Sequence, residues 1–225
     1  MKVNLKKVGT HCLILQWEET IPQQMQAVQT YIKDKFDKDV LEMVPTYREL
    51  ALYLHFESDI YALKESLEAN LPKIEVNRSQ EDGQVFQIPV CYSPKYGMDL
   101  KPLAKAKELS VAELIERHTA PTYQIHFLGF LPGFPYLSGL DEKLQHSRLE
   151  SPRQKIPAGS VGIAGTQTGI YPHSSPGGWN LIGRTPLKLF DIEQSPPALL
   201  KPMQKLKFYA ISEKEFEEKE KELKR

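Results

Sequence analysis

From Ser151 to Phe190 the chain carries no acidic residue, yet it holds seven of the 13 glycines and prolines at 152, 157, 172, 176 and 186. Glycine serves where the backbone must take φ > 0 or where another group approaches the main chain closely. Proline fixes φ and removes a donor, so alternating the two makes rigid, sharply turned loops between short strands rather than a helix. A flexible linker would be polar throughout, whereas Val161, Ile163, Ile170, Trp179, Leu181 and Ile182 punctuate this stretch. The segment therefore predicts a folded, loop-rich β surface. Its exposed amides, with Arg153, Lys155, Arg184 and Lys188, suit an anion or carboxylate better than a cation.

The 225 residues can form one large domain or two small ones. With 40% apolar and 26% charged residues the composition is that of an ordinary soluble globular protein. Lys plus Arg equals Asp plus Glu at 29 each, which gives no overall field for nucleic acid. The balance is uneven along the chain: residues 1–90 hold 10 basic and 14 acidic side chains, residues 91–190 hold 11 and 7. Cys12 and Cys91 have neither CxxC spacing nor a nearby His pair, so free buried thiols are expected and no zinc site. No apolar run reaches membrane-spanning length and no secretory h-region follows the start, so a cytoplasmic protein is expected.

Taken in order, Val3–Leu5 and Cys12–Trp17 read as strands broken at Gly9-Thr10. Thr20 and Pro22 start a helix that buries Met25, Val28, Ile32 and Phe36. Val40–Val44 and Ala51–Phe56 read as strands, and Asp59 starts a helix with Leu63 and Leu67 on one face. Ile74–Asn77 and Val85–Val90 are candidate strands around Asp82-Gly83. A short helical piece with Leu103, Ala104 and Leu109 precedes a capping box, Ser110 and Glu113, for a helix through His118. From Tyr123 the pattern is one of short strands and glycine turns. The tail predicts a strand at Leu206–Ile211 and a solvated, frayed, charged helix begun by Ser212 and Glu215. The fold class expected is α+β: an N-terminal α/β sandwich over 1–85, a β-barrel over 86–211 and a charged helix over 212–225.

Three segments supply candidate site residues. In Leu128–Leu137, the aromatics Phe130, Phe134 and Tyr136 flank Pro132-Gly133, either as the apolar wall of a pocket or as a cap on the barrel core. In Pro152–Ser160, Arg153 has the fork for a carboxylate or phosphate, while Lys155 reads as solvated. In Gly165–Pro186, Gln167, Thr168, Tyr171, Ser174, Ser175 and Asn180 are hydrogen-bonding groups on loops, and Trp179 reads as a core plug in preference to a stacking surface. His126 reads as a satisfied strand residue. His173, on the glycine loop, is the better general acid or base candidate because an imidazole titrates near neutrality. No acid nearby in sequence orients either histidine, and there is no P-loop.

Gly129–Asp141 (GFLPGFPYLSGLD) and Ser151–Asp191 together resemble the family of 5-oxoprolinase B subunits, which includes proteins named for inhibiting a sporulation histidine kinase and is similar to the first half of allophanate hydrolase-type proteins. The resemblance implies a C-terminal cyclophilin-like β-barrel behind an N-terminal α+β domain. It implies an ATP-dependent opening of 5-oxoproline to L-glutamate together with the C and A subunits, ATP being bound in the assembled complex and the chain alone being inactive. Carried over by motif, the ligand-binding positions are Phe130, Pro132, Gly133, Phe134, Arg153, Pro157, Ala158, Gly159, Gln167, Thr168, Tyr171, Pro172, Ser175, Pro176, Gly177, Gly178, Trp179 and Arg184. The catalytic candidates among the residues read above are Arg153, Gln167, Tyr171, His173 and Arg184. Two other classes compete: a groove that binds and inhibits a histidine kinase, and a stand-alone prolyl isomerase.

Overall fold

The computed structural model describes residues 2–19, 22–74 and 85–223. It divides into two compact units, Met1–Asp82 and Gly83–Arg225.

The first unit is a two-layer α/β sandwich. Strands β1 (Asn4–Val8), β2 (Cys12–Gln16), β3 (Val40–Pro45) and β4 (Glu49–Leu54) form an antiparallel sheet in the order β1-β2-β4-β3. Strand alternation decides which face is covered: Leu13 sits opposite Leu52 and Leu15 opposite Leu50, all fully buried. Helix α1 (Pro22–Phe36) lays Met25, Val28 and Ile32 on that face, and α2 (Ile60–Asn70) adds Ile60, Leu63 and Leu67. Asp59 caps α2 by accepting from the amides of Tyr61 and Ala62 at 2.9 and 3.2 Å. The expected Thr20 cap, and the strand expected over 74–77 apart from Ile74, fall outside the described residues.

The second unit is a barrel-like sheet of seven strands with three helices and a separate two-stranded ribbon. It comprises β5 (Phe86–Val90), α3 (Leu100–Ala106), α4 (Val111–Thr119), β6 (Tyr123–Leu128), β7 (Pro135–Ser138), β8 (Arg153–Ile156), β9 (Ser160–Ala164), β10 (Gln167–Ile170), β11 (Ser175–Gly177), β12 (Asn180–Arg184), β13 (Lys205–Ala210) and α5 (Glu213–Glu222). The sheet runs β12-β9-β10-β7-β6-β13-β5, while β8 and β11 pair with each other. Its two edges meet just beyond β5: Cys91 N–H donates to the Arg184 carbonyl at 2.9 Å, and Arg184 N–H returns to Cys91 at 3.2 Å. This bridge closes the barrel around Val90, Ile125, Leu137, Val161, Ile163, Ile170, Ile182 and Phe208. Helices α3 and α4 add Leu103 and Leu114 to the same core, and Ser110 with Glu113 forms the anticipated capping box. The α+β class and the barrel read from the sequence are thus the architecture observed. No helix among the described residues is long and apolar enough to cross a membrane.

Strand β5 pairs in parallel with β13, Phe86 opposite Leu206 and Val90 opposite Ala210. One expectation is corrected. The C-terminal helix is not merely solvated. Phe216 is buried with Cys91 and Ile211, its ring centroid 4.2 Å from that of Tyr96.

Candidate functional site

Strand pleat sorts the candidate residues of β10 between two environments. Thr168 and Ile170 point into the barrel, whereas Gly169 and Tyr171 face outward beneath the β8–β11 ribbon. On that outer face Phe134 is the hub of an aromatic layer. Its ring lies edge-on to Phe130 at 5.7 Å and to Tyr171 and Trp179 at 5.4 Å each, and tilted to Tyr136 at 5.2 Å. Gly169 lets Phe134 and Trp179 approach the strand, and a side chain at Gly177 would run into the Tyr171 hydroxyl.

Phe134, Tyr171 and Trp179 are buried, so this layer is packed and not an open wall. Trp179 is a core plug, as read from the sequence. Burial pushes the Tyr171 phenol up to about 12, opposed by Arg148 and by a hydrogen bond from the Trp179 main chain. Tyr171 is therefore a neutral hydrogen-bonding group at ordinary pH. Phe130 differs from its neighbours. It is 65% exposed and takes φ +63°, a conformation costly for a bulky side chain. The rim of the layer thus consists of Phe130, Pro132, the half-buried Tyr136 and Ser175, and the Gly177-Gly178 turn.

Neither candidate arginine stands as an uncompensated cation. Arg153 Nη2 donates to Asp99 Oδ1 at 2.7 Å, and Nη1 donates to the Trp179 carbonyl at 3.3 Å. The other Asp99 oxygen accepts from the Leu181 amide at 2.7 Å. Asp99 precedes α3 but leaves that helix uncapped, because its carboxylate is turned to β12 and Arg153. Arg184 Nε donates to the Ala158 carbonyl at 2.7 Å, its guanidinium stacks over the Phe216 ring at 5.8 Å, and Glu220 lies 3.9 Å away. The acid-free stretch is acid-free only along the chain; Asp99 and Glu220 reach it through space. Gly159, at φ +80°, makes the turn between these parts, and any side chain there would strike the Thr185 carbonyl.

The remaining candidates are dispersed. Gln167 is half-buried at the opposite end of β10, beside the Gly165 hairpin. His173 touches the Phe190 ring edge-on at 5.4 Å, and Gly133 packs against the same residue. His126 meets Ser138 Oγ at 2.7 Å. Thr168 lies in a buried chain missed at the sequence level: its hydroxyl donates to the Gly162 carbonyl at 3.0 Å and faces His118 Nε2 at 2.9 Å, while His118 Nδ1 faces the Tyr92 hydroxyl at 2.7 Å. With the threonine proton committed to Gly162, Nε2–H must be the donor to Thr168 and Nδ1 the acceptor from Tyr92. Burial holds the His118 pKa down to about 3, consistent with that neutral tautomer. Among the described residues no group of three or more His, Cys, Asp or Glu is placed to hold a metal ion.

A barrel closed through Cys91 and Arg184, with an aromatic layer under a glycine-rich ribbon, defines the class: the chain belongs to the family described as carboxyltransferase domain, subdomain C and D, which matches residues 3–200. It is 38% identical to a protein named as the B subunit of 5-oxoprolinase in Bacillus subtilis (strain 168), over 96% of each chain. The solved structure of TTHA0988 superposes with a TM-score of 0.78 at 32% identity, covering 89% of this chain but only 40% of that longer one. The fold also resembles part of the K. lactis urea amidolyase, with a TM-score of 0.77 at 19% identity, over 96% of this chain and 15% of that one.

Proposed function

We propose that this chain is the B component of a heteromeric, ATP-dependent 5-oxoprolinase that opens 5-oxoproline to L-glutamate. The observation that carries the reading is the 38% identity to the B. subtilis 5-oxoprolinase B subunit across 96% of both chains. The C and A subunits are the partners, the former making direct contact. TTHA0988 supports the need for a partner, since this chain matches only 40% of its length. The chemistry suits the face described. A lactam carbonyl is a weak electrophile, and phosphorylation of its oxygen makes the ring carbon open to attack by water. Such a step needs fixed donors and positive charge around developing negative charge. Main-chain amides of the glycine turns are donors of that kind. Residues at the rim, Phe130, Tyr136, Ser175 and Gly178, contact the ligand, whereas Arg153, Arg184 and Trp179 hold the walls.

The test is glutamate release from 5-oxoproline and ATP by the cognate A and C subunits, with this chain present or omitted. Activity is expected only in the complete mixture, and the chain alone is expected to be inactive. Equal rates with and without it would refute the reading.

A further inference from the structure

The loop that follows β7 ends in a segment tied down at several points. His146 N–H donates to the Gly165 carbonyl at 3.1 Å and Gly165 N–H donates back at 2.6 Å. Asn180 Nδ2 donates to the Ser147 carbonyl at 2.8 Å, and Leu149 N–H donates to the Gly178 carbonyl at 2.8 Å. Lys107 Nζ adds a hydrogen bond to the Gln145 carbonyl. These bonds fix the main chain on both sides of Arg148, so the base of that side chain is preset.

Arg148 is exposed. Among the described residues it has neither a carboxylate at ion-pair distance nor a side-chain hydrogen bond, in contrast to Arg153 and Arg184. It stands beside the glycine turn: a side chain at Gly178 would come within 3.9 Å of its Cβ. Its charge also acts on the phenols of both Tyr136 and Tyr171, opposing the upward push of burial. A fixed-base guanidinium, a half-buried phenol and the Gly177-Gly178 turn therefore share one rim of the aromatic layer. An arginine fork is well matched to a planar oxyanion, carboxylate or phosphoryl.

We propose that Arg148, with Tyr136 beside it, is the oxyanion-binding residue of this face and takes a carboxylate or phosphoryl oxygen of the ligand. The proposal rests on the oxoprolinase reading for the ligands tried. It assigns recognition to a residue outside the acid-free stretch, and leaves Arg153 and Arg184 as framework.

The test substitutes Arg148→Gln and Arg148→Lys, with Lys155→Gln as a control for the general positive field. In the reconstituted enzyme, Arg148→Gln is expected to raise one KM by about 10-fold or more, the scale of a charge-assisted hydrogen bond. Arg148→Lys is expected to recover part of it, because it keeps the charge and loses the fork. A raised KM for 5-oxoproline identifies the carboxylate, and a raised KM for ATP identifies a phosphoryl group. The melting temperature is expected to stay within a degree or two, and Lys155→Gln to leave both constants unchanged. Equal KM values for both substrates in wild type and Arg148→Gln overturn the proposal. If the complete mixture is inactive, the oxoprolinase reading fails by itself. Equilibrium binding of 5-oxoproline and of pyrophosphate, to the chain alone and with its partners, then decides. Affinity lowered about 10-fold by Arg148→Gln upholds the site, and affinity equal in both or absent from both overturns it.

Discussion

Asp99 makes two hydrogen bonds from one buried carboxylate, to Arg153 at 2.7 Å and to the Leu181 amide at 2.7 Å. Removing it strands a partly buried cation and a buried amide together, and that asymmetry makes such pairs costly to break. Asp99→Ala is expected to lower the unfolding free energy by about 3 kcal/mol, read from urea denaturation. Arg153→Lys, which keeps the charge near Asp99, is expected to cost about 1 kcal/mol. A loss below about 1 kcal/mol for Asp99→Ala would show that the pair is not structural. His118 gives a second prediction at this scale. Its pKa is depressed in the fold, so below about pH 6.5 the unfolded chain binds more protons, and stability falls as pH drops toward 3. Between pH 6.5 and 5, before carboxylates titrate, the slope contributed is at most about 1.4 kcal/mol per pH unit. His126, also depressed by burial, adds to the same window. His118→Gln should remove most of the slope, with the remainder lost in the double variant; an unchanged slope in His118→Gln would contradict the buried neutral imidazole. At this scale the sequence was least legible. The motif placed Thr168 beside Tyr171, but strand pleat sends Thr168 inward to His118. Asp99 lies 54 residues from Arg153, and no spacing rule joins them.

Elements were easier to read where a local signal fixes them. The Ser110–Glu113 and Ser212–Glu215 capping boxes both form as read, and β6 alternates from Tyr123 as its pattern required. Pairing partners were not legible, because β5 and β13 meet in parallel across more than a hundred residues. Nor did the charge of α5 disclose its anchor, since one buried aromatic in ten residues leaves no periodic stripe. Phe216 packs on Tyr96 and under Arg184, whose Nε holds the Ala158 carbonyl. The helix, outside the family match at 3–200, is thus linked through one arginine to the Gly159 turn. Phe216→Ala is expected to destabilise by about 3–5 kcal/mol. Glu217→Gln, which breaks an exposed pair with Lys95, is expected to cost less than about 1 kcal/mol. If thermal melts show the two variants equal, the helix is held by charge and not by its ring.

For the whole molecule, the place of β5 in the barrel sheet decides where the chain can be divided. Each unit has its own buried core, one built on Leu13, Leu15, Leu50 and Leu52, the other on Val90, Ile125, Val161 and Phe208. Unfolding free energies of about 5–15 kcal/mol leave little margin for losing a strand with two fully buried side chains. Ile88 and Val90 are fully buried, and stripping two such side chains from a core costs about 3–6 kcal/mol before any ladder hydrogen bond is counted. The barrel also needs Cys91 immediately beyond β5, because its bridge to Arg184 joins the two sheet edges. We therefore expect residues 85–225 to fold alone, with one cooperative thermal transition, and residues 1–74 to do likewise. A fragment beginning at residue 92 keeps every glycine loop of the candidate site yet lacks β5 and the closing bridge; it is expected to lose that transition and to bind a dye for exposed apolar surface. Circular dichroism melts of the fragments measure this directly. A cooperative melt of 92–225 as sharp as that of 85–225 would mean that the barrel does not depend on β5 for its core.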